Sequence, residues 1–445
     1  MKTLRLLADR GMVLVLGFLC VLFSVLTFSD QSPMGEAAAR QVADMLQKQF
    51  GKSPHVLIAT RDQPDDVVYA AALQRLLASS APGSAPAVVV RGEPKDAREA
   101  LQRVTSSGQR LDAIVCTQAT GSWLVFNSLK TDFPTLGEPH VVMPRSYRWP
   151  NFLKSENLLN IANQIAVIAI VAIGMSMVII TGGIDLSVGS LLALSSVLSS
   201  RLIRDFAGGT SASVFGMFVA CLLAIVLCGL AGAFSGAMVT RFAIPPFIVT
   251  LAMMLVGSGL AYIFAKGQSI YQIPESFVWI GRGAHFFGVP NAVLLMLVLY
   301  GIAHIVMSRM KLGRHLYAVG GNIEAARLSG VPVRRVLMFA YIVSAALAGL
   351  GGVIMASQLK SGSPTYGGMY ELYVIAAVVV GGTSLSGGEG RMFGTLTGAF
   401  TIAVIQNGMN LTNVESYTQK VVLGLVILGA VLVDKVRKGE GFRAL

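Results

Sequence analysis

Between residues 161 and 433 the chain is almost uninterrupted hydrocarbon, broken once by a long basic stretch at 309–335. In lipid the backbone must satisfy its own polar groups, which leaves helices and closed barrels. Repeated apolar runs near 20 residues are of helix length rather than barrel-strand length. The chain therefore reads as a polytopic α-helical membrane protein. Composition agrees: 54% of the 445 residues are hydrophobic and 13% charged, against about 25% charged in a soluble domain. The net charge of +12 does not point to nucleic acid, because the Lys and Arg residues gather at the ends of apolar runs. That is the distribution of cytoplasmic loops. Cys20, Cys221 and Cys228 lie in apolar runs, where a thiol packs as a small hydrophobe, and Cys116 stands alone in a polar region. Neither a disulfide framework nor metal-ligand spacing is present.

Ten runs are candidate spans: 11–28, 161–181, 188–202, 214–238, 246–264, 292–307, 336–358, 372–382, 392–409 and 421–433. The first follows Lys2, Arg5 and Arg10 like a signal peptide, but it is long for one and no A-x-A site follows, so it is read as retained. About ten transmembrane helices place both termini in the cytoplasm. Arg241, the 309–335 stretch, Lys435, Arg437 and Lys438 fit that orientation; Arg201 and Arg204 fall on the outer side and do not. The run 372–382 is too short to span alone, so the glycine-rich segment after it must be buried in protein or line water.

Four parts follow: a cytoplasmic start and first span at 1–29, a polar region at 30–150, a membrane domain at 151–438 and a cytoplasmic tail at 439–445. The region 30–150 alternates apolar strands (55–60, 87–91, 111–117, 140–143) with helical patterns (65–79, 95–106, 121–130). Such alternation implies a small parallel α/β domain, inserted outside the cytoplasm between the first two spans. Its strand ends offer Thr60-Arg61-Asp62 and Thr117-Gln118. No glycine-rich phosphate fingerprint accompanies them, and they read as ordinary loop residues.

Within the membrane domain, IITGGIDLSVGS (179–190) sets Asp185 between two runs. Gly182 and Gly183 break the helix, and Asp185 or Ser187 caps the next one or forms a hinge beside a transport path. A cousin of this segment recurs at Gly381-Gly382, Leu385-Ser386 and Gly388, as an internal repeat or by chance. The string LSGGE (385–389) imitates an ATPase signature. The phosphate loop that an ATPase requires is missing from the chain, so it is a membrane-interface loop. Asn163, Gln164, Gln406, Asn407 and Asn410 bring amides into or near spans, either to bond helices together or to face a polyol. Asp185, Glu371 and Glu415 are scant provision for cation coupling. No catalytic triad, carboxylate pair or metal cluster appears, so no enzymatic activity is expected.

Three motifs in order, IITGGIDLSVGSLLAL (179–194), AVGGNIEAARLSGV (318–331) and AAVVVGGTSLSGGEGRMFGTLTGA (376–399), resemble the permease subunit of ribose-type ABC importers over about 151–438. The resemblance implies a bacterial cytoplasmic (inner) membrane protein moving a monosaccharide by alternating access. It implies a permease homodimer or pseudo-dimer, a cytoplasmic ATPase subunit that binds the ATP, and a periplasmic substrate-binding protein, with no cofactor on this chain. It also implies that Gly320, Gly321, Asn322, Glu324, Ala325, Ala326, Arg327, Leu328, Ser329 and Gly330 form the ATPase-coupling loop, a short helix with Glu324 in its first turn and Gly330 closing it. Gly182, Gly183, Asp185, Ser187, Asn163, Gln164, Gln406 and Asn407 are the candidate gate and path. The insert at 30–150 departs from the family pattern, and is expected to contact or partly replace the binding protein. Alternatives are a permease for nucleosides or branched-chain amino acids, an ion-coupled secondary transporter, and a sensor.

Overall fold

The computed structural model describes residues 2–51, 54–80, 87–284 and 286–437; Lys438 and the expected tail at 439–445 lie outside them. The chain forms two compact units, Met1–Thr27 with Asn151–Leu445, and Phe28–Pro150.

After helix α1 (Lys2–Leu26), the smaller unit runs β1 (Phe28–Gln31), α2 (Gly35–Phe50), β2 (Val56–Thr60), α3 (Pro64–Ser80), β3 (Val88–Arg91), α4 (Pro94–Ser106), β4 (Ala113–Cys116), α5 (Leu129–Asp132), β5 (His140–Val142) and β6 (Tyr147–Pro150). Four strands form a parallel sheet in the order β3-β2-β4-β5. Its central strands, VLIAT and AIVC, are buried at every residue, as in a sheet covered on both faces. Leu46, Ile58, Tyr69 and Leu73 pack on one side, and Leu57, Leu101, Ile114 and Leu136 on the other. Burial pushes the Cys116 thiol up to about 12. The chain enters and leaves this unit on the antiparallel pair β1–β6, with Gln31 opposite Tyr147. The helix expected at 121–130 is instead a 3-10 turn at Leu124–Phe126 and the single turn α5. Asn127 and Ser128 interrupt it, residue types whose side chains compete for backbone bonds.

The larger unit contains α6 (Ser155–Ile180), α7 (Val188–Phe206), α8 (Val214–Arg241), α9 (Pro246–Ala265), α10 (Trp279–Arg282), α11 (Asn291–Arg309), α12 (Lys311–Gly321), α13 (Ile323–Leu328), α14 (Val333–Leu359), α15 (Tyr370–Val380), α16 (Met392–Leu411) and α17 (Ser416–Arg437). Among the described residues five helices, α6, α8, α9, α11 and α14, are long and apolar enough to cross a membrane. Helix α6 is hydrophobic all round because it is the enclosed one; α8 and α9 turn most of their surface outward, the pattern of lipid-facing helices. Helices α7 and α16 are richer in Ser, Thr and Gly, since buried neighbours replace lipid around them. Ser195 Oγ donates to the Gly349 carbonyl at 2.7 Å, and the Ser176 and Thr395 hydroxyls share a bond of 2.8 Å. Arg201 and Arg204 are paired with Asp205.

Two helical breaks organise the bundle. Between α6 and α7 the chain turns through Thr181–Ser187. After α14 a buried non-helical segment, including Ser361, Ser363 and Gly367, leads into the short α15. This segment exchanges two backbone hydrogen bonds between Gly362 and Ile270, of 2.8 and 2.9 Å. The basic stretch differs from expectation: it holds two helices, α12 and α13, rather than the one short helix expected before Gly330.

Candidate functional site

The expected coupling residues divide between these two helices. Asn322 caps α13, its Oδ1 accepting from the Ala325 N–H at 2.9 Å, and Gly330 closes it with φ +81°, the left-handed stop typical of glycine. Glu324 in the first turn pairs with Arg327 at 3.3 Å. Leu328 is 88% exposed on this six-residue helix. Ala326 alone of the α13 residues is buried, which anchors the helix to the bundle.

Gly320 and Gly321 belong to α12, and Gly320 does a different job. A Cβ there would overlap the Ile180 carbonyl oxygen and lie 2.6 Å from the Gly388 nitrogen. The same Ile180 carbonyl accepts the Gly388 N–H at 2.8 Å. On Gly387 a Cβ would fall 2.8 Å from the Gly320 carbonyl and 3.1 Å from the Gly182 nitrogen. Tyr317 of α12 adds a bond from its hydroxyl to the Gly390 carbonyl at 2.8 Å. Backbone therefore touches backbone at one node, where α12 meets the end of α6 and the loop between α15 and α16. The two glycine segments that look like cousins in sequence are joined here.

Asp185 is 2% exposed. Its Oδ1 accepts from the Ser187 N–H at 3.0 Å and Ser187 Oγ at 2.6 Å, and its Oδ2 from Ser344 Oγ at 2.8 Å. Neither Asp185 nor Ser187 caps α7 in the expected way, for Ser187 spends its hydroxyl on Asp185. The carboxylate instead ties the 181–187 turn to α14. Gly183 lies against the Tyr341 hydroxyl of the same helix, and Gly182 takes φ +81°.

The amides separate. Asn407 and Asn157 form a reciprocal pair of 2.8 and 3.0 Å between α16 and α6, and Asn410 accepts from Gln419. Gln358 Nε2 donates to the Asn163 backbone carbonyl at 2.9 Å and to its Oδ1 at 3.3 Å. These bonds hold helices together. Gln164 and Gln406, with Gln358 and Tyr370, line a cavity of about 270 Å³ between α6, α14, α15 and α16. A second cavity, of about 340 Å³, lies between α7, α9 and the start of α15. Sequence reasoning passed over Gln358 and Tyr370, whose signal is an amide and a phenol bordering an apolar run. Among the described residues no group of His, Cys, Asp and Glu is placed to hold a metal ion.

Two helical breaks, two cavities between helices and a short exposed helix on a basic stretch make up the candidate site. The family model for the branched-chain amino acid transport system / permease component matches residues 157–431, and the chain belongs to that family. It is similar to the ribose import permease of Bacillus subtilis (strain 168), at 42% identity over 68% of this chain and 92% of the relative. The ribose import permease of Escherichia coli (strain K12) is 42% identical over 64% of this chain and 87% of its own. The D-allose transport system permease of the same strain is 34% identical over 64% and 85%. No solved structure matches the chain. The protein is thus a multi-pass inner-membrane permease subunit of the kind that works with ATPase and substrate-binding partners. The α/β unit lies outside the family match.

Proposed function

We propose that the chain is the permease subunit of an ABC importer carrying a monosaccharide inward by alternating access, and that α13 is its docking helix for the ATPase subunit. The observation that carries this reading is the Gly320 node. A push or pull on α13 reaches α12, and through Gly320 it reaches the ends of two broken helices by backbone contact, with no flexible side chain to absorb it. Rigid shifts of packed elements are the usual currency of such switching. The ribose and allose relatives support a sugar over the branched-chain amino acids in the family's description.

In this reading the chain crosses the membrane about ten times, by α1, α6–α9, α11, α14, α16 and α17 and by α15 together with the non-helical segment before it, and both termini are cytoplasmic. The α/β unit at 30–150 lies outside, where it contacts or partly replaces the periplasmic binding protein. The permease works as a homodimer or pseudo-dimer, and ATP binds its partners. The chain holds no cofactor or metal and engages no nucleic acid. Asp185 fastens the first break to α14, and the amide cavity of Gln164 and Gln406 belongs to the path. Affinity purification of the tagged protein from its native membrane, followed by mass spectrometry, tests this. An ATPase subunit and a sugar-type binding protein are expected, with the ATPase lost in Leu328→Asp. Absence of any ATPase after crosslinking would refute the docking helix.

A further inference from the structure

Resting on the monosaccharide reading, we infer that the cavity beside Glu371 opens on the aqueous passage and that the Glu371 carboxylate accepts hydrogen bonds from hydroxyls of the passing sugar. The cavity, about 340 Å³, is lined by Ser190 of α7, Ser258 and Tyr262 of α9, Thr365 and Tyr366 of the non-helical segment before α15, and Glu371 of α15. That volume falls within the range of roughly 300–1,000 Å³ usual for small-molecule sites.

Depth makes the carboxylate informative. Helix α15 has 11 residues, about 16 Å at 1.5 Å per residue, or half of a hydrocarbon core of about 30 Å. Its far end leads into the loop that meets basic α12, at the membrane surface. Glu371, in its first turn, therefore sits near mid-depth. It is only half-buried, and among the described residues no Lys, Arg or His pairs with it. An ionisable group at that depth faces a water-filled cavity or a partner rather than lipid.

The cavity is built to keep the carboxylate in place. A Cβ on Gly189 would overlap the Glu371 carboxylate and lie 2.6 Å from the Gly367 carbonyl, so glycine at the start of α7 leaves the room it occupies. The N-terminal end of the 19-residue α7 also favours a negative charge beside it. Apolar Met254, Leu255 and Met369 share this lining with the hydroxyls of Ser258 and Tyr262, and Glu371 adds an acceptor-only carboxylate. That combination suits a neutral polyol, whose hydroxyls both donate and accept, better than an apolar or anionic solute. The next residue back, Tyr370, lines the amide cavity on the other side of the α15 start.

The test uses the full transporter in membrane vesicles. Ser258→Cys and Thr365→Cys are labelled with a membrane-impermeant methanethiosulfonate reagent, with Leu222→Cys on the outward face of α8 as comparison, above the background of the four native cysteines. We expect both cavity cysteines to react at least tenfold faster than Leu222→Cys, and D-ribose presented with its binding protein to slow them. Glu371→Ala should raise the KM for D-ribose uptake at least tenfold while co-purification of the ATPase is unchanged, and Glu371→Gln, which keeps one acceptor oxygen, should fall between. Cavity cysteines no faster than Leu222→Cys, or an unchanged KM in Glu371→Ala, would overturn the inference. Fast labelling of both cavity cysteines, with no ribose uptake by the wild-type transporter, would overturn the sugar contact through the substrate reading and leave the passage standing.

Discussion

Replacing Gly320 by alanine adds one methyl group at the node where α12 meets the end of α6. That methyl would overlap the Ile180 carbonyl oxygen and stand 2.6 Å from the Gly388 nitrogen, about 1 Å inside the ordinary contact distance of roughly 3.5–4.0 Å. All the neighbours are backbone, so no side chain can swing aside. Overpacking of this kind costs about 1–3 kcal/mol. The Gly388-to-Ile180 hydrogen bond of 2.8 Å lies in the way and adds about 1 kcal/mol when broken. The sum, about 2–4 kcal/mol, falls on the contact through which α13 reaches the broken helices. Gly321 is the internal control: same helix, same gain in helix propensity, and nothing within 4 Å of its added methyl. Sugar uptake and sugar-stimulated ATP hydrolysis should be measured on both variants in proteoliposomes with the partner subunits. Gly320→Ala should lose at least tenfold in uptake while Gly321→Ala stays near wild type. Equal tolerance of the two substitutions would refute the node as a mechanical link.

Asp185→Ala removes the buried carboxyl that takes part in three hydrogen bonds, each worth about 0.5–1.5 kcal/mol, so size-exclusion of the detergent extract should show loss of folded protein. A well-folded variant that has lost only transport would favour a moving hinge over a fastener. Glu324→Arg breaks the Glu324–Arg327 pair and reverses charge at the start of α13; association with the ATPase should weaken in a pull-down, and unchanged co-purification would refute the docking assignment. Replacing residues 32–146 by an Asn-Gly turn, which the Gln31–Tyr147 register permits, should leave the membrane unit folded and reduce uptake; full uptake would remove the α/β unit from transport. Cys116, buried and with its thiol raised to about 12, stays protonated at pH 9 and should react with a disulfide reagent only once the α/β unit unfolds.

Much of this fold is legible because hydrophobicity dominates it. Each of the ten apolar runs overlaps a helix, and strands β2 to β5 lie within the segments 55–60, 87–91, 111–117 and 140–143. What escaped was structure that apolar pattern does not encode. Helix α12 hides in a basic stretch, with Leu316 and Val319 among its few apolar residues buried by the bundle. Helix α2 is amphipathic but rich in alanine, so its stripe of Ala38, Ala39, Val42 and Leu46 is faint. At the candidate site, the α13 helix and the two glycine breaks are visible in the motifs, whereas the close packing at Gly320 and Gly189 depends on which backbone passes them, a fact of tertiary structure. The amides show the same limit: Gln406 and Asn407 are adjacent in sequence, yet one lines a cavity and the other bonds two helices.

The most direct test of the account is uptake of radiolabelled D-ribose, D-allose and L-leucine by cells expressing the chain with its partners, against the same cells lacking it. The account predicts chain-dependent accumulation of one of the two sugars, none of leucine, and loss of the signal in Leu328→Asp, which severs the ATPase contact. Chain-dependent leucine uptake, or sugar uptake indifferent to Leu328→Asp, would contradict it.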